Sequence, residues 1–160
     1  MNKKYERYIN YIVSDIKPPY FKNMEENYGL KDNEYPLVLS KVFKGPVTVE
    51  GNRVYNSNGN VIYSENSSNG EWYKKEYDTN GNVIYLEYSD GDWVKYEYDT
   101  NGNKIYFETS DGFWYKKEFD TNGNQIYYED STGIWYKYEY DDYGYQNYYE
   151  DSYGVIRDNR

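Results

Sequence analysis

The sequence predicts a mainly β protein: an elongated, twisted antiparallel meander of β-hairpin repeats, forming a single-layer or shallowly curled sheet with a small N-terminal helical cap. Three observations predict it. From Asn56 the chain repeats itself, with units starting at Asn56, Asp78, Asp99, Asp120 and Asp141 and a period of 22 residues once and 21 thereafter. Each unit holds two runs in which aromatic or β-branched residues alternate with charged ones, divided by Asn-Gly, Asp-Gly or variant glycine turn signals. Residues 1–46 instead carry apolar residues at helical spacing, and 47–160 form the array.

The core open to such a chain is aromatic. Leu, Ile, Val and Phe total 28 of 160 residues, which with a net charge of −10 would ordinarily mean disorder. Twenty-six Tyr and four Trp reverse that expectation, because their rings bury area while a polar edge stays wet. There is no Cys and no His, so disulfides, thiolate nucleophiles, sulfur or imidazole metal sites and imidazole bases are excluded. The expectation is a non-enzyme without cofactor or metal. No apolar run is long enough to span a membrane, and Met1-Asn2-Lys3-Lys4-Tyr5-Glu6 lacks a signal peptide's apolar stretch, so a cytoplasmic location is expected.

The elements follow in order. Tyr5, Tyr8, Ile9, Ile12 and Ile16 make the apolar stripe of a first helix ended by Pro18-Pro19. A second runs from Pro19 to Tyr28 with Phe21, Met24 and Tyr28 on one side and Gly29 as its stop. A third begins after Asp32 or Asn33, uses Pro36 in its first turn, carries Leu37, Val38, Val42 and Phe43, and stops at Gly45-Pro46. Val47, Val49 and Val54 then alternate around Gly51-Asn52, a two-residue hairpin signal. The helices are expected to shield the first sheet edge.

The odd repeat constrains the turns, since equivalent residues must face the same way in every unit. A two-residue turn at Asp90-Gly91 and a three-residue loop at Thr100-Asn101-Gly102, with Gly102 left-handed, meet that condition. The register that results pairs Tyr88 with Trp93, Leu86 with Lys95, Asp99 with Asn103 and Glu97 with Ile105. In the first unit, a Ser68-Asn69-Gly70 loop sets Asn66 opposite Trp72. One face then carries a straight row of Trp72, Trp93, Trp114 and Trp135, roughly 9.5 Å apart. The other carries a ladder of Tyr63, Tyr85, Tyr96, Tyr106, Tyr127, Tyr138 and Tyr148, broken by Lys75 and Lys117. In the last unit Ile156 replaces Trp, and Arg157, Asp158 and Arg160 suit an edge that must repel other strands.

The motifs Tyr77-Asp78-Thr79-Asn80-Gly81-Asn82, Tyr98-Asp99-Thr100-Asn101-Gly102-Asn103 and Tyr140-Asp141 resemble the tyrosine-aspartate repeats of Rhs-type proteins over roughly residues 55–156. In large toxins such repeats build a spiral β-shell, and the units here are too few to enclose cargo. The array is equally similar to tyrosine-rich repeat proteins of bacteriophages and prophages, which implies a phage or mobile-element protein acting inside a bacterial host. Gly112-Phe113-Trp114-Tyr115 also resembles choline- and glucan-binding repeats, which belong to secreted proteins.

Charge points to the partner. Residues 1–55 hold nine Lys and Arg against seven Asp and Glu, and residues 56–160 nine against twenty-one, so the array carries −12. It repels a nucleic-acid backbone and attracts a basic protein surface. Asp-x-Asn-Gly-Asn looks like the start of a calcium loop, but the bidentate Glu would fall at Ser89, Ser110 and Ser131, so turn capping explains the Asp better. Glu108 and Glu129 recur at one repeat position, where strand pairing explains them better than a glycosidase pair does.

The leading expectation is therefore a non-catalytic, partner-binding surface of Tyr85, Tyr96, Tyr106, Tyr127 and Tyr138 with Glu87, Glu108 and Glu129. It would bind and inhibit a basic host protein or nucleoprotein, such as a nucleic-acid-handling defence complex of the CRISPR kind. The alternative binding face is Trp72, Trp93, Trp114 and Trp135, suited to carbohydrate or a cell-surface ligand. A purely structural repeat, or a homo-oligomer joined through the sheet edge, comes third. Neither direct nucleic-acid binding nor membrane association is expected.

Overall fold

The computed structural model describes residues 3–160, the first three of these by backbone alone. Helix α1 spans Lys3–Asp15 and buries Ile9 and Ile12 completely, with Ile16 just beyond it. The side chain of Tyr5, placed on the same stripe by the sequence, lies outside the described residues. Helix α2 spans Tyr20–Glu26 and ends as expected: Gly29 takes φ +62° and the Leu30 N–H reaches the Met24 carbonyl at 2.9 Å. Helix α3 spans Tyr35–Val42 after a 3-10 turn over Asp32–Glu34. Its buried side is Tyr35, Val38 and Leu39, rotated from the Leu37, Val38 and Val42 stripe expected, and Lys44 rather than Gly45 supplies the left-handed stop, at φ +55°.

Twelve strands follow in one antiparallel sheet whose order is the chain order. They are β1 Val47–Glu50, β2 Arg53–Asn56, β3 Val61–Glu65, β4 Trp72–Tyr77, β5 Val83–Tyr88, β6 Trp93–Tyr98, β7 Lys104–Thr109, β8 Trp114–Phe119, β9 Gln125–Asp130, β10 Trp135–Tyr140, β11 Gln146–Asp151 and β12 Ile156–Asp158. The protein is thus a mainly β meander of hairpin repeats, with β1 and β12 as open edges. Glu50 faces Arg53 across the two-residue turn Gly51-Asn52, as the sequence indicates.

The register corrects the sequence expectation in two places. Both turns of each 21-residue repeat are three-residue loops. The Gly112 N–H bonds to the Thr109 carbonyl and the Thr109 N–H to the Phe113 carbonyl, so Ser110-Asp111-Gly112 matches Thr100-Asn101-Gly102 in form, each with its glycine at positive φ. A β-bulge then adds one residue on the Asn-Gly side: Tyr98 faces Lys104 but Glu97 faces Tyr106, which leaves Ile105 as the extra residue. Ile126 and Ile62 are the extra residues of the equivalent pairings. A two-plus-three scheme and a three-plus-three scheme with one bulge contribute the same parity, so the period alone could not separate them. In the first unit Glu65, not Asn66, faces Trp72, because the loop there holds four residues, Ser67 to Gly70.

The chain divides into two compact units. The first contains the helices, the strands as far as Glu76, and Leu86–Gly91. Its core is fully buried at Ile9, Ile12, Met24, Val38, Leu39, Val54 and Tyr63. Helix α3 packs against the edge strand β1, and Tyr20, Phe21 and Phe43 surround the Tyr63 ring of β3 at 4.9, 6.1 and 6.2 Å. The second unit, Tyr77–Tyr85 with Asp92–Arg160, has no helix and leaves most of its large strand side chains half-buried, with Tyr143, Tyr145 and Tyr153 exposed.

Candidate partner-binding face

The register sorts the second unit's side chains into two unlike faces. One is an aromatic ladder, Tyr96, Phe107, Tyr115, Tyr128, Tyr136 and Tyr149, with successive ring centroids 5.6, 5.0, 6.0, 5.7 and 6.2 Å apart. Each contact adds about 0.5–1.5 kcal/mol to simple burial. Cations lie over these rings: Lys104 over Tyr96 at 4.0 Å, Lys117 over Tyr115 at 5.2 Å and Arg157 over Tyr149 at 5.8 Å. The acids on this side are consumed internally. Asp130 accepts from the Tyr128 hydroxyl at 3.0 Å and Asp151 from that of Tyr149 at 2.7 Å, and both are buried.

The opposite face carries the tryptophans and the glutamates. Lys95 stands opposite Glu108, Lys116 opposite Glu129 and Lys137 opposite Glu150, so each repeat matches one Lys with one Glu. The second Glu of each repeat faces a tyrosine instead: Glu97 opposite Tyr106, Glu118 opposite Tyr127, Glu139 opposite Tyr148. Glu97, Glu118 and Glu139 are all exposed, which leaves one glutamate per repeat beyond the lysines, the last of them paired with Arg160 at 3.0 Å. Lys116 and Lys137 lean over the rings of Trp114 and Trp135 at 5.2 and 5.3 Å, while Trp93 stacks on Tyr85 at 6.3 Å.

In the first unit the corresponding side chains are Tyr63, Glu65, Trp72, Lys74 and Glu87. Tyr63 stacks on Trp72 at 6.1 Å, and Lys74 pairs with Glu87 at 2.7 Å. Glu65 does something composition could not reveal. Its carboxylate accepts from the backbone N–H groups of Phe21 and Lys22 at 2.9 and 3.0 Å and from the Tyr63 hydroxyl at 2.8 Å, and that hydroxyl accepts in turn from the Tyr20 N–H at 3.0 Å. Pro19 occupies the N-cap position of α2 and provides no side-chain bond, so strand β3 caps the helix from outside. Burial pushes the Tyr63 hydroxyl far above its ordinary pKa, with Glu65 reinforcing the shift.

The sequence-predicted surface is therefore rearranged. Tyr85, Tyr106 and Tyr127 lie on the glutamate face with Glu87, Glu108 and Glu129, but Tyr96 and Tyr138 belong to the ladder behind. The extra residue in each bulge puts Tyr106 opposite Glu97 and moves Tyr96 opposite Phe107. The alternative set, Trp93, Trp114 and Trp135, shares the glutamate face, so the two candidate surfaces largely merge. Trp72 keeps the same position beside Tyr63 and Glu65 in the first unit. The tryptophans are staggered, not in a straight row: Trp114 faces Glu108 and Ser131, whereas Trp135 faces Glu129, two residues along.

The turn aspartates are structural. The Asp99 carboxylate accepts from the Asn101 and Asn103 N–H groups and from the Asn103 side-chain amide, at 2.8 to 2.9 Å, and Asp78 and Asp120 repeat the pattern. These bonds, that from the Asn side chain foremost, hold the three carboxyls below the ordinary range.

No protein-family model matches this sequence, and no curated protein does so. Among solved structures the chain is similar to TcdB2-TccC3-TEV, at 15% identity and a TM-score of 0.46, over 62% of this chain and 5% of that one. It is also similar to the Photorhabdus luminescens Tc holotoxin pore with a mutated TccC3, at 15% identity and a TM-score of 0.47, over 66% of this chain and 7% of that one. The chain thus spans a small fraction of the length of either.

Proposed function

We propose that the chain is a non-catalytic repeat protein that binds a basic protein surface through the face bearing Trp93, Trp114, Trp135 and the glutamates. The observation that supports this is the sorting of charge: one exposed glutamate per repeat beyond the lysines on one face, Glu97 and Glu118 facing tyrosines and Glu139 held by Arg160, and lysines laid over the aromatic ladder on the other. A flat surface of Tyr and Trp makes contact area at low entropic cost, and the glutamate excess steers a cationic partner onto it. Like charge disfavours nucleic acid itself. In the phage or mobile-element setting that the sequence resemblance implies, the partner is a host protein or nucleoprotein, and occupying the groove it uses for phosphates inhibits it. The lysines over Trp114 and Trp135 cover rings on which a sugar would stack, which favours a protein partner over a carbohydrate.

The test is kinetic. With a lysine-rich helical peptide as minimal partner, the triple variant Glu97→Gln, Glu118→Gln, Glu139→Gln should associate more slowly than the parent, and its rate should depend less steeply on ionic strength. Equal rates and equal salt slopes, with circular dichroism showing the sheet intact, would place binding elsewhere.

A further inference from the structure

The Tyr-x-Glu pair that seats α2 occurs five times, as Tyr63/Glu65, Tyr85/Glu87, Tyr106/Glu108, Tyr127/Glu129 and Tyr148/Glu150, always at the same repeat position. In its first copy the pair is occupied. Tyr63 and Glu65 together accept three successive backbone N–H groups, those of Tyr20, Phe21 and Lys22, and the aromatic side chains of the first two pack on the Tyr63 ring. A helix that starts with proline has no side chain of its own to satisfy those donors, and its N-terminus carries partial positive charge that a carboxylate complements.

Two other copies are closed from within the chain. Glu87 is paired with Lys74 at 2.7 Å, and the Tyr148 ring is covered by Arg160 at 4.3 Å. The remaining two, Tyr106/Glu108 and Tyr127/Glu129, lie on the half-buried glutamate face of the second unit. In each, burial first and the neighbouring glutamate next raise the tyrosine hydroxyl's pKa, so hydroxyl and carboxylate sit side by side on this face. Lys116 and Lys137 direct their ammonium groups over Trp114 and Trp135. Beside the second pair is an open depression of about 440 Å³ lined by Glu118, Tyr127 and Lys137. Two strands and a two-residue stagger separate the pairs by roughly 12 Å, enough for a helix of about 10–12 Å diameter to stand on either.

We propose that Tyr106/Glu108 and Tyr127/Glu129 are docking clamps for the first turn of helices on the partner protein, specifically helices that begin, as α2 does, with proline followed by aromatic residues. This rests on reading the glutamate face as the binding surface, and it adds the chemistry of what is recognised there: uncapped backbone N–H groups with an aromatic pair, in addition to charge.

The probe is an alanine-lysine helical peptide that begins Pro-Pro-Tyr-Phe, compared with the reversed sequence, whose composition and charge are identical. Titrated into the full-length protein, the forward peptide should bind about tenfold tighter than the reversed one and should shift the amide resonances of residues 106–108 and 127–129. The double variant Glu108→Gln, Glu129→Gln should lose that tenfold preference while circular dichroism stays unchanged. Equal binding of both peptides overturns the clamp and leaves an acidic surface that reads charge alone. Binding of neither overturns both readings. Self-association of the protein alone that the double variant abolishes would assign the clamps to a second copy of this chain and overturn a foreign helix as occupant.

Discussion

Single residues set the terms of this fold where the repeat is broken or reused. Glu65 belongs to a position that four other units fill with Glu87, Glu108, Glu129 and Glu150, so nothing in the sequence distinguishes it; only the seating of α2 on β3 does. Glu65→Gln keeps the shape and removes the charge, and should lower stability by about 2 kcal/mol, the range for a charge-assisted bond to backbone donors. The check is chemical denaturation together with hydrogen exchange, in which the amides of Phe21 and Lys22 lose protection; undiminished protection would mean that the apolar contacts of Tyr20 and Phe21 hold the helix alone. Asn147 is the complementary case. It stands where Ile62, Ile84, Ile105 and Ile126 stand in the other units, and among the described residues its side-chain oxygen is buried without a hydrogen-bond partner. Asn147→Ile should therefore stabilise by about 1 kcal/mol, read as a higher melting temperature.

At the scale of elements, the hairpins are legible in outline in the sequence, and their register is not. A glycine marks every turn, most often as Asn-Gly or Asp-Gly, and the left-handed glycines sit where the motif requires, Gly102 at φ +85° among them. The bulge was not legible, because Ile105 looks like any strand residue and its effect on side-chain direction cancels in the period. One missed residue per repeat was enough to carry Tyr96 and Tyr138 to the opposite face from Tyr106 and Tyr127. The turn aspartates were read correctly as caps, and their depressed pKa gives stability a sign with pH. Asp78, Asp99 and Asp120 sit lower in the folded chain than the unfolded value near 3.9, so their contribution is complete above about pH 4 and disappears as pH falls through the folded values. Nature supplies the control: Asn56 makes the same two bonds, from the Asn58 and Asn60 N–H groups at 3.0 Å, with no proton to bind. Replacing all three aspartates by Asn should thus leave the hairpins intact and flatten the acid limb of a urea-stability profile. A variant that loses stability below pH 4 as steeply as the parent would show that other carboxylates govern acid unfolding.

For the molecule as a whole, tyrosine takes the place that aliphatic residues hold elsewhere, and this was the part most readable from composition. The chain has 28 Leu, Ile, Val and Phe against 26 Tyr, and the ladder from Tyr96 to Tyr149 gives the second unit its ordered face. Such a scaffold carries an alkaline limit, because each ring has a hydroxyl that can ionise. Desolvation first and a hydrogen bond to Asp130 next push Tyr128 up to about 12, a hydrogen bond to Asp151 foremost does so for Tyr149, and a bond to Asp15 does the same for Tyr28. A folded pKa raised above the unfolded value near 10 means that the stabilisation is whole below pH 10 and is lost as pH rises through about 12. Ionisation there sets a phenolate against a carboxylate in a chain whose net charge at neutral pH is already −10. Alkaline titration followed by tyrosinate absorbance should therefore show a late phase near pH 12 that coincides with loss of the β-sheet circular dichroism. In the double variant Asp130→Asn, Asp151→Asn the late phase should move to lower pH, since the carboxylates that oppose ionisation of Tyr128 and Tyr149 are gone. A late phase that stays in place near pH 12 would tie it to Tyr28, whose bond to Asp15 the variant leaves untouched.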